Sequence, residues 1–428
     1  MVVRLDPVQG PIEGWVPLPY SKSISARHIL MGLHSGAPFT IEGLSEADDT
    51  QKLLGIVRSC GYGVRQVGNS WHFEPERPFL PAHLEVGEGG TTLRFILPWL
   101  AGLPGKTHLH LGGRLSKRPL APLVQALIEA GAQIEAIGEH LQITGNPDWR
   151  PSVFRIDSRL SGQFLSAIFL MAPRLSEGSE VIETSGEPAT LSYVESLTLT
   201  ILRKAGYVWE KVAPGHWILS RANTGSPHFN LYIGEADWSA AGYFWGWAMG
   251  AGARLELPVS LESHQPERVF WAGGSWPLEI TETSRGVRVI SSGEIPPLWA
   301  GDIASVPDAF PTLAVLAALA EDSWSFRGIR TLPYKESHRL SAMQAELDKM
   351  GARLEWTEEV CRVYPGRLGK APLHLYTHGD HRVAMALSLL ASRWKAPLYI
   401  HGAEVVAKSF PRYWEVLGQL GISLTFEA

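Results

Sequence analysis

The chain is 428 residues long, 45% hydrophobic and 19% charged, with a net charge of −5 at neutral pH. That length exceeds what one hydrophobic core normally serves and that composition is globular, so two or more domains are expected. The acidic balance argues against a nucleic-acid surface, and the lack of about 18 consecutive apolar residues argues against a membrane span.

The start of the chain has no long apolar run of the kind a signal peptide needs. Cys60 and Cys361 sit in no metal-binding or redox spacing, which fits a reduced, cytoplasmic setting and equally a periplasmic protein with few cysteines. Ser21-Lys22-Ser23 opens a helical stretch. It places two hydroxyls and an ammonium where backbone N–H groups are unpaired, and Arg27, four residues after Ser23, shares their face. Gly87-Glu88-Gly89-Gly90-Thr91-Thr92 leads to Arg94. This loop has the logic of a phosphate cradle but lacks the Gly-Lys-Ser/Thr of a Walker loop. Segment 112–119 sets Arg114, Lys117 and Arg118 ahead of a helix predicted to start near Pro119. Ser161 and Gln163 offer a hydroxyl and an amide before an apolar helix over 164–171, where simple capping is an equal reading. Asp308 precedes an apolar helix over 310–320 and suits an N-cap. Lys335 and Arg339, four apart, are predicted to share one face of an amphipathic helix. Asp380-His381-Arg382 opens the apolar run 383–387, and Lys408 precedes the last helix. Cations at helix starts are mildly unfavourable unless something negative binds there. Several such starts, converging, predict a pocket for small phosphorylated acids.

An internal period organises these pieces. Glycines at 61, 131, 206, 273, 351 and 421 each close a helix-like run, and a strand-like pair follows the first five. A glycine there is expected to take the left-handed conformation that ends a helix. Six units of roughly 70 residues divide into two lobes of three, with the ligand cleft expected between lobes.

The series Ser-Lys-Ser-x-Ser-x-Arg, Gly-x-Gly-Gly-Thr-x-x-Arg, Gly-x-x-x-x-Arg-Pro, Ser-Gly-Gln-Phe, Pro-Asp-Ala, Lys-Glu-Ser-x-Arg, Asp-His-Arg and Ala-Lys-Ser-Phe-Pro runs in this order from Ser21 to the last helix. It resembles the 5-enolpyruvylshikimate-3-phosphate synthase family over nearly the whole chain. The resemblance implies an α/β, two-lobed enolpyruvyl transferase-like fold, each lobe holding three βαβαββ units. One lobe would span 19–233, and 1–18 plus 234–428 would form the other. It implies transfer of the enolpyruvyl group of phosphoenolpyruvate to the 5-hydroxyl of shikimate 3-phosphate, with release of phosphate and domain closure. No metal, organic cofactor, nucleic acid or membrane is implied, and the enzyme would be a cytoplasmic monomer.

By the same resemblance Lys22, Arg114, Arg339, Arg382 and Lys408 would hold phosphoenolpyruvate, with Gly90 and Gln163 lining the site and Thr91 and Arg94 beside them. Ser23 and Arg27 would take the shikimate carboxylate. Ser161, Gln163, Thr190, Tyr193 and Lys335 would hold the shikimate phosphate and ring. Asp308 is assigned to the hydroxyl proton and Glu336 to the methylene proton, with Lys22 and Lys408 stabilising phosphate charge. Four departures stand out. Glu88 replaces a usual Asn, and Gly162 a usual Ser. Thr190-Leu191-Ser192-Tyr193 stands for Ser-Lys-Pro-Tyr, and His338 replaces Asp. Two other readings remain: an enolpyruvyl transferase with a different acceptor alcohol, and a non-catalytic binder of phosphorylated acids.

Overall fold

The structure is a computed structural model that describes residues 1–113, 115–222 and 231–427. The described residues form six four-stranded sheets, and all six share one plan. Two strands run parallel, in four of the sheets joined through a helix, and one of the two pairs with an antiparallel partner that has one further antiparallel neighbour. In the second sheet, for instance, His83–Glu85 lies parallel to Gly105–His110, which pairs with the hairpin His140–Gly145 and Gln133–Ile137. The helices Gly90–Leu100 and Ala121–Glu129 fill the connections. This is the βαβαββ order, and the mixed α/β expectation is met.

Three sheets are completed by strands distant in sequence. Leu231–Ile233 supplies the parallel partner of Phe39–Glu42. Ile12–Trp15 does the same for Ala253–Leu257. The last helix is followed by a single strand, Leu424–Glu427, and Val2–Leu5 fills the place of the missing hairpin strand between it and Leu398–His401. The glycine pattern holds at 61, 131, 206, 351 and 421, all with positive φ. Gly273 departs from it: its φ is −96°, and its N–H bonds to the Val269 carbonyl as an ordinary continuation of the helix. The helix expected near Pro119 starts at Ala121, after a tight turn over Leu115–Lys117.

The chain divides into two compact units, Tyr20–Glu235 and Met1–Pro19 with Ala236–Ala428. Each has its own apolar core. The first buries the helices Lys22–Ser35, Gly90–Leu100 and Gln163–Phe169. The second buries Trp238–Ala251, Phe310–Leu319 and His381–Ser388. Helices that are apolar all round belong in an interior. In Trp238–Ala251, glycines at every fourth position make room for close neighbours: Trp271 against Gly242, Leu389 and Thr312 against Gly246, and Ser392 against Gly250. Among the described residues no helix is long and apolar enough to cross a membrane.

The first strand is therefore a structural keystone of the sixth sheet. Leu5 is fully buried and lies between Leu398 and Leu424. Leu5→Ala is expected to cost about 2–5 kcal/mol in urea unfolding. Leu231→Ala, on a half-exposed strand position, should stay within about 0.5 kcal/mol of wild type. Equal midpoints for the two variants would contradict the assigned role of the first strand.

Candidate active site

In the unit Tyr20–Glu235, three helix starts carry the predicted residues. Ser21 caps the helix Lys22–Ser35 through a 3.5 Å bond from Ile24 N–H. Lys22 Nζ lies 2.9 Å from Asp49 Oδ2, in the first turn of Asp48–Ser59. Half-buried Ser23 gives its carbonyl to Arg27 Nη1 at 2.8 Å. Arg27 is only 3% exposed. Its Nε donates to Thr198 Oγ1 at 2.8 Å, and the guanidinium lies over the Phe95 ring. A carboxylate bound here would share Arg27 with hydroxyls that already hold it.

The second and third starts are joined in one network. Gln163 Nε2 donates to Thr91 Oγ1 at 2.9 Å, and Gln163 Oε1 accepts from Arg94 Nη1 at 2.7 Å. The same Arg94 nitrogen reaches Ser161 Oγ at 3.3 Å, while Nη2 donates to the Pro119 carbonyl at 2.8 Å. Burial, and then the neighbouring Arg118, push the Arg94 guanidinium down to about 9. The glycine pair before Thr91 lets the ends of two charged side chains approach the backbone closely. A methyl on Gly89 would lie 2.8 Å from Asp49 Oδ1, and one on Gly90 2.5 Å from Arg118 Nη1. Thr190 adopts a left-handed φ of +48° and accepts from Gly162 N–H through Oγ1 at 3.3 Å. Tyr193 starts the wide-turned π-helical segment Tyr193–Leu199 and donates its N–H to the Thr190 carbonyl at 3.2 Å. Such local widening is frequent at functional sites. Arg114 lies outside the described residues.

In the other unit, cations from three segments meet one carboxylate. Arg339 Nη1 is 2.6 Å from Asp308 Oδ1, Lys335 Nζ is 3.3 Å from the same oxygen, and Arg382 Nη2 is 2.9 Å from Oδ2. Asp308 stands in the turn Pro307–Ala309 and caps nothing, so its expected N-cap role is not seen. Lys335 is not on the helix either, which begins at Arg339. The two cations meet through Asp308, not through a shared helical face. Burial alone would raise the Asp308 carboxyl, but Arg382, Lys335 and Arg339 outweigh it and hold it well below the usual range. Burial, followed by the repulsion of Arg339 and Arg382, pushes Lys335 down to about 8 despite Asp308.

A second layer of acids supports this cluster. Asp380, fully buried, accepts from Arg339 Nε at 3.0 Å and from Ser337 Oγ at 3.1 Å. It also caps the helix His381–Ser388 through the Arg382 N–H at 2.9 Å. Glu336 Oε2 lies 2.7 Å from His381 Nδ1. Lys408 Nζ donates to the Gly379 carbonyl at 3.1 Å. Arg382 also reaches Tyr243 Oη at 3.4 Å, beside a small cavity whose walls include Glu267, Asp308 and Arg382. Glu336, Asp380 and His381 bring three donor atoms within 4.8 Å of one another. Asp380 is already bound by Arg339, so this trio reads as a proton and ion-pair network.

The sequence and structure of known proteins place these features. A sequence model described as EPSP synthase (3-phosphoshikimate 1-carboxyvinyltransferase) matches residues 8–417. The chain belongs to the EPSP synthase family. A 3-phosphoshikimate 1-carboxyvinyltransferase from Syntrophobacter fumaroxidans is 32% identical, covering 97% of this chain and 99% of that protein. Another, from Ralstonia pickettii, is 31% identical over 96% and 98%. Among solved structures, an EPSP synthase from Acinetobacter baumannii has a TM-score of 0.77 at 23% identity, with both chains fully covered. The enolpyruvyl transferase NikO from Streptomyces tendae has a TM-score of 0.74 at 17% identity, covering 99% of this chain and 98% of that one. The fold is thus that of the EPSP synthases.

The departures from the EPSP synthase pattern have physical explanations. His338 caps the helix Arg339–Leu347, its Nδ1 accepting from Ser341 N–H at 3.2 Å, the service an Asp would give there. The Glu88 carboxylate is turned toward Gly113, 3.5 Å from where a Cβ there would lie. Gly162 and Thr190 are packed against each other. A Cβ on Gly162 would meet the Ala189 carbonyl at 2.5 Å and Thr190 Oγ1 at 2.9 Å.

Two residues of the site, Asp49 and Glu183, were not singled out in sequence, and Arg118, Asp380 and His381 stood in noted motifs but were given no role. Asp380 stands where an N-cap is expected, which is a readable signal. Glu183 falls on the inward phase of the strand Glu180–Glu183, in step with buried Val181, and a carboxylate in that phase needs partners. Its Oε1 accepts from Ser158 N–H and Oγ, both at 3.1 Å, and its Oε2 from Gly186 N–H at 2.8 Å. Ser185 also binds it through N–H and hydroxyl. Glu183 so fastens the loop before Gln163 to the loop that leads to Thr190.

Restoring the family residue should therefore damage this chain. Gly162→Ser is expected to lower stability by about 1–3 kcal/mol through overpacking, and the added change Thr190→Gly should recover only a part of it, because the Ala189 carbonyl remains in the way. Urea unfolding of both variants checks this. An unaffected Gly162→Ser protein would show that the two loops are not in register as described.

Proposed function

We propose that this chain transfers the enolpyruvyl group of phosphoenolpyruvate to the 5-hydroxyl of shikimate 3-phosphate and releases phosphate, a step of aromatic amino-acid biosynthesis. The supporting observation is the convergence of Lys335, Arg339 and Arg382 on Asp308 in a member of the EPSP synthase family. In this reading the cluster around Arg339, Arg382 and Lys408, with Lys22, takes phosphoenolpyruvate. Ser23, Arg27, Ser161, Gln163, Thr190, Tyr193 and Lys335 take the acceptor. The enzyme acts in the cytoplasm, as a monomer, without metal or organic cofactor.

The reaction needs a proton placed on the methylene carbon of phosphoenolpyruvate and a proton taken from the 5-hydroxyl. The 5-oxygen bonds to the central carbon, and the tetrahedral adduct then loses a proton and phosphate. Asp308 is assigned to the hydroxyl. Clamped by three cations it is a weak base, because each stabilises its ionised form. An arriving phosphate or carboxylate competes for those cations, and that competition raises the basicity of Asp308 once phosphoenolpyruvate is bound. Glu336, paired with His381, is assigned to the methylene proton. Lys22 and Lys408 stabilise the charge of the departing phosphate.

Mixing the protein with both substrates and following phosphate release tests the proposal. Asp308→Ala and Glu336→Ala are each expected to lower kcat by about 10²–10⁴-fold. Near wild-type turnover in both would remove the proton assignments. The remodelled pair Gly162 and Thr190, on the acceptor side, favours one second reading, transfer to a different cyclic alcohol. Phosphate release that requires an alcohol other than shikimate 3-phosphate would establish it.

Lys335 gives a pH signature. Its pKa is lowered from 10.5 to about 8, so its ammonium is present below that pH and lost above it. The KM for shikimate 3-phosphate should therefore rise as pH climbs through about 8. Lys335→Arg, which stays charged, should flatten the rise. Superimposable profiles would contradict the role of Lys335.

A further inference from the structure

The sheet built from His83–Glu85, Gly105–His110, His140–Gly145 and Gln133–Ile137 carries side chains that the transfer reaction does not use. Leu84, Leu109 and Leu141 are buried beneath it. Strand alternation sends the residues beside those leucines to the opposite, open face. The register makes them neighbours: His83 opposite His108, Glu85 opposite His110, and His110 opposite His140. Four imidazoles and a carboxylate thus share one patch across three adjacent strands. Ring centroids are 5.7 Å apart for His83 and His108, 5.8 Å for His83 and His110, and 4.1 Å for His110 and His140. His140 Nδ1 is shut off from solvent and meets no hydrogen-bond partner among the described residues.

We propose that this face binds one divalent transition-metal ion of the zinc, copper or nickel class through His83, His108 and His110. An imidazole nitrogen sits about 2.0–2.1 Å from such an ion, so two rings on one tetrahedral ion have centroids roughly 5 Å apart. The two separations involving His83 are within an ångström of that value. As the rings stand, their nitrogens do not all lie within 4.8 Å of one another, so binding requires the rings to turn, and exposed His83 on the edge strand has the room to do so. His140, edge-on against His110, fixes that ring, and Glu85 stands beside it to accept its second N–H, the outer contact that usually orients a ligating imidazole. An all-imidazole set selects against magnesium and calcium, which require oxygen ligands.

Calorimetric titration of the full chain with zinc chloride tests this, with magnesium chloride alongside. One zinc per chain and no magnesium binding are expected. His108→Asn with His110→Asn should weaken zinc binding by more than about tenfold, with the circular dichroism spectrum and phosphate release unchanged. The change His374→Asn with His401→Asn, at the other surface histidine pair (3.0 Å apart), should leave zinc affinity as it was. Absence of zinc binding, or zinc binding untouched by the His108 and His110 changes, would overturn the proposal.

Discussion

One carboxylate, Asp308, is shared by three cations that come from a loop and two helix starts. Removing charge from water is costly, and the cost is recovered only when opposite charges meet with good geometry. Arg339 is almost wholly buried and has both Asp308 and Asp380 on it. The positive helix starts are thus neutralised from within the chain. Under the proposed function a ligand would not enter a reservoir of bare positive charge; it would replace one internal anion with another. That exchange links binding to the basicity of Asp308, because the same cations that receive the ligand set the affinity of Asp308 for a proton.

The network around Arg27 and Arg94 is built differently. Arg27 and Arg94 are held mainly by hydroxyl, amide and carbonyl oxygens, with aromatic rings beneath them. The loop around Thr190 is packed onto Gly162 with no room for a side chain, and Glu183 ties the two loops together. The two loops are therefore packed as one piece, and a side chain added to one must displace the other.

Much of this was legible in the sequence because it is local. Helix-ending glycines impose a backbone conformation, so their spacing revealed the repeat, and five of the six have the expected positive φ. Cations before apolar runs revealed Lys22, Arg339 and Arg382. What escaped was non-local. No short-range signal assigns Val2–Leu5 to the last sheet or Leu231–Ile233 to the first, since each is a strand of ordinary composition whose partner lies far along the chain. Asp308 looked like a helix cap because sequence shows only its neighbours in the chain, whereas its true partners arrive from 335, 339 and 382. The Asp49 partner of Lys22 was hidden for the same reason.

The most direct test of the account is a titration of the Asp308 carboxyl by carbon-13 NMR, assigned by comparison with Asp308→Asn, with and without phosphoenolpyruvate and in the absence of acceptor so that no turnover occurs. The account predicts that the pKa, held well below the ordinary range in the free protein, moves upward when phosphoenolpyruvate is added. A pKa that stays where it was, with phosphoenolpyruvate demonstrably bound, would contradict it.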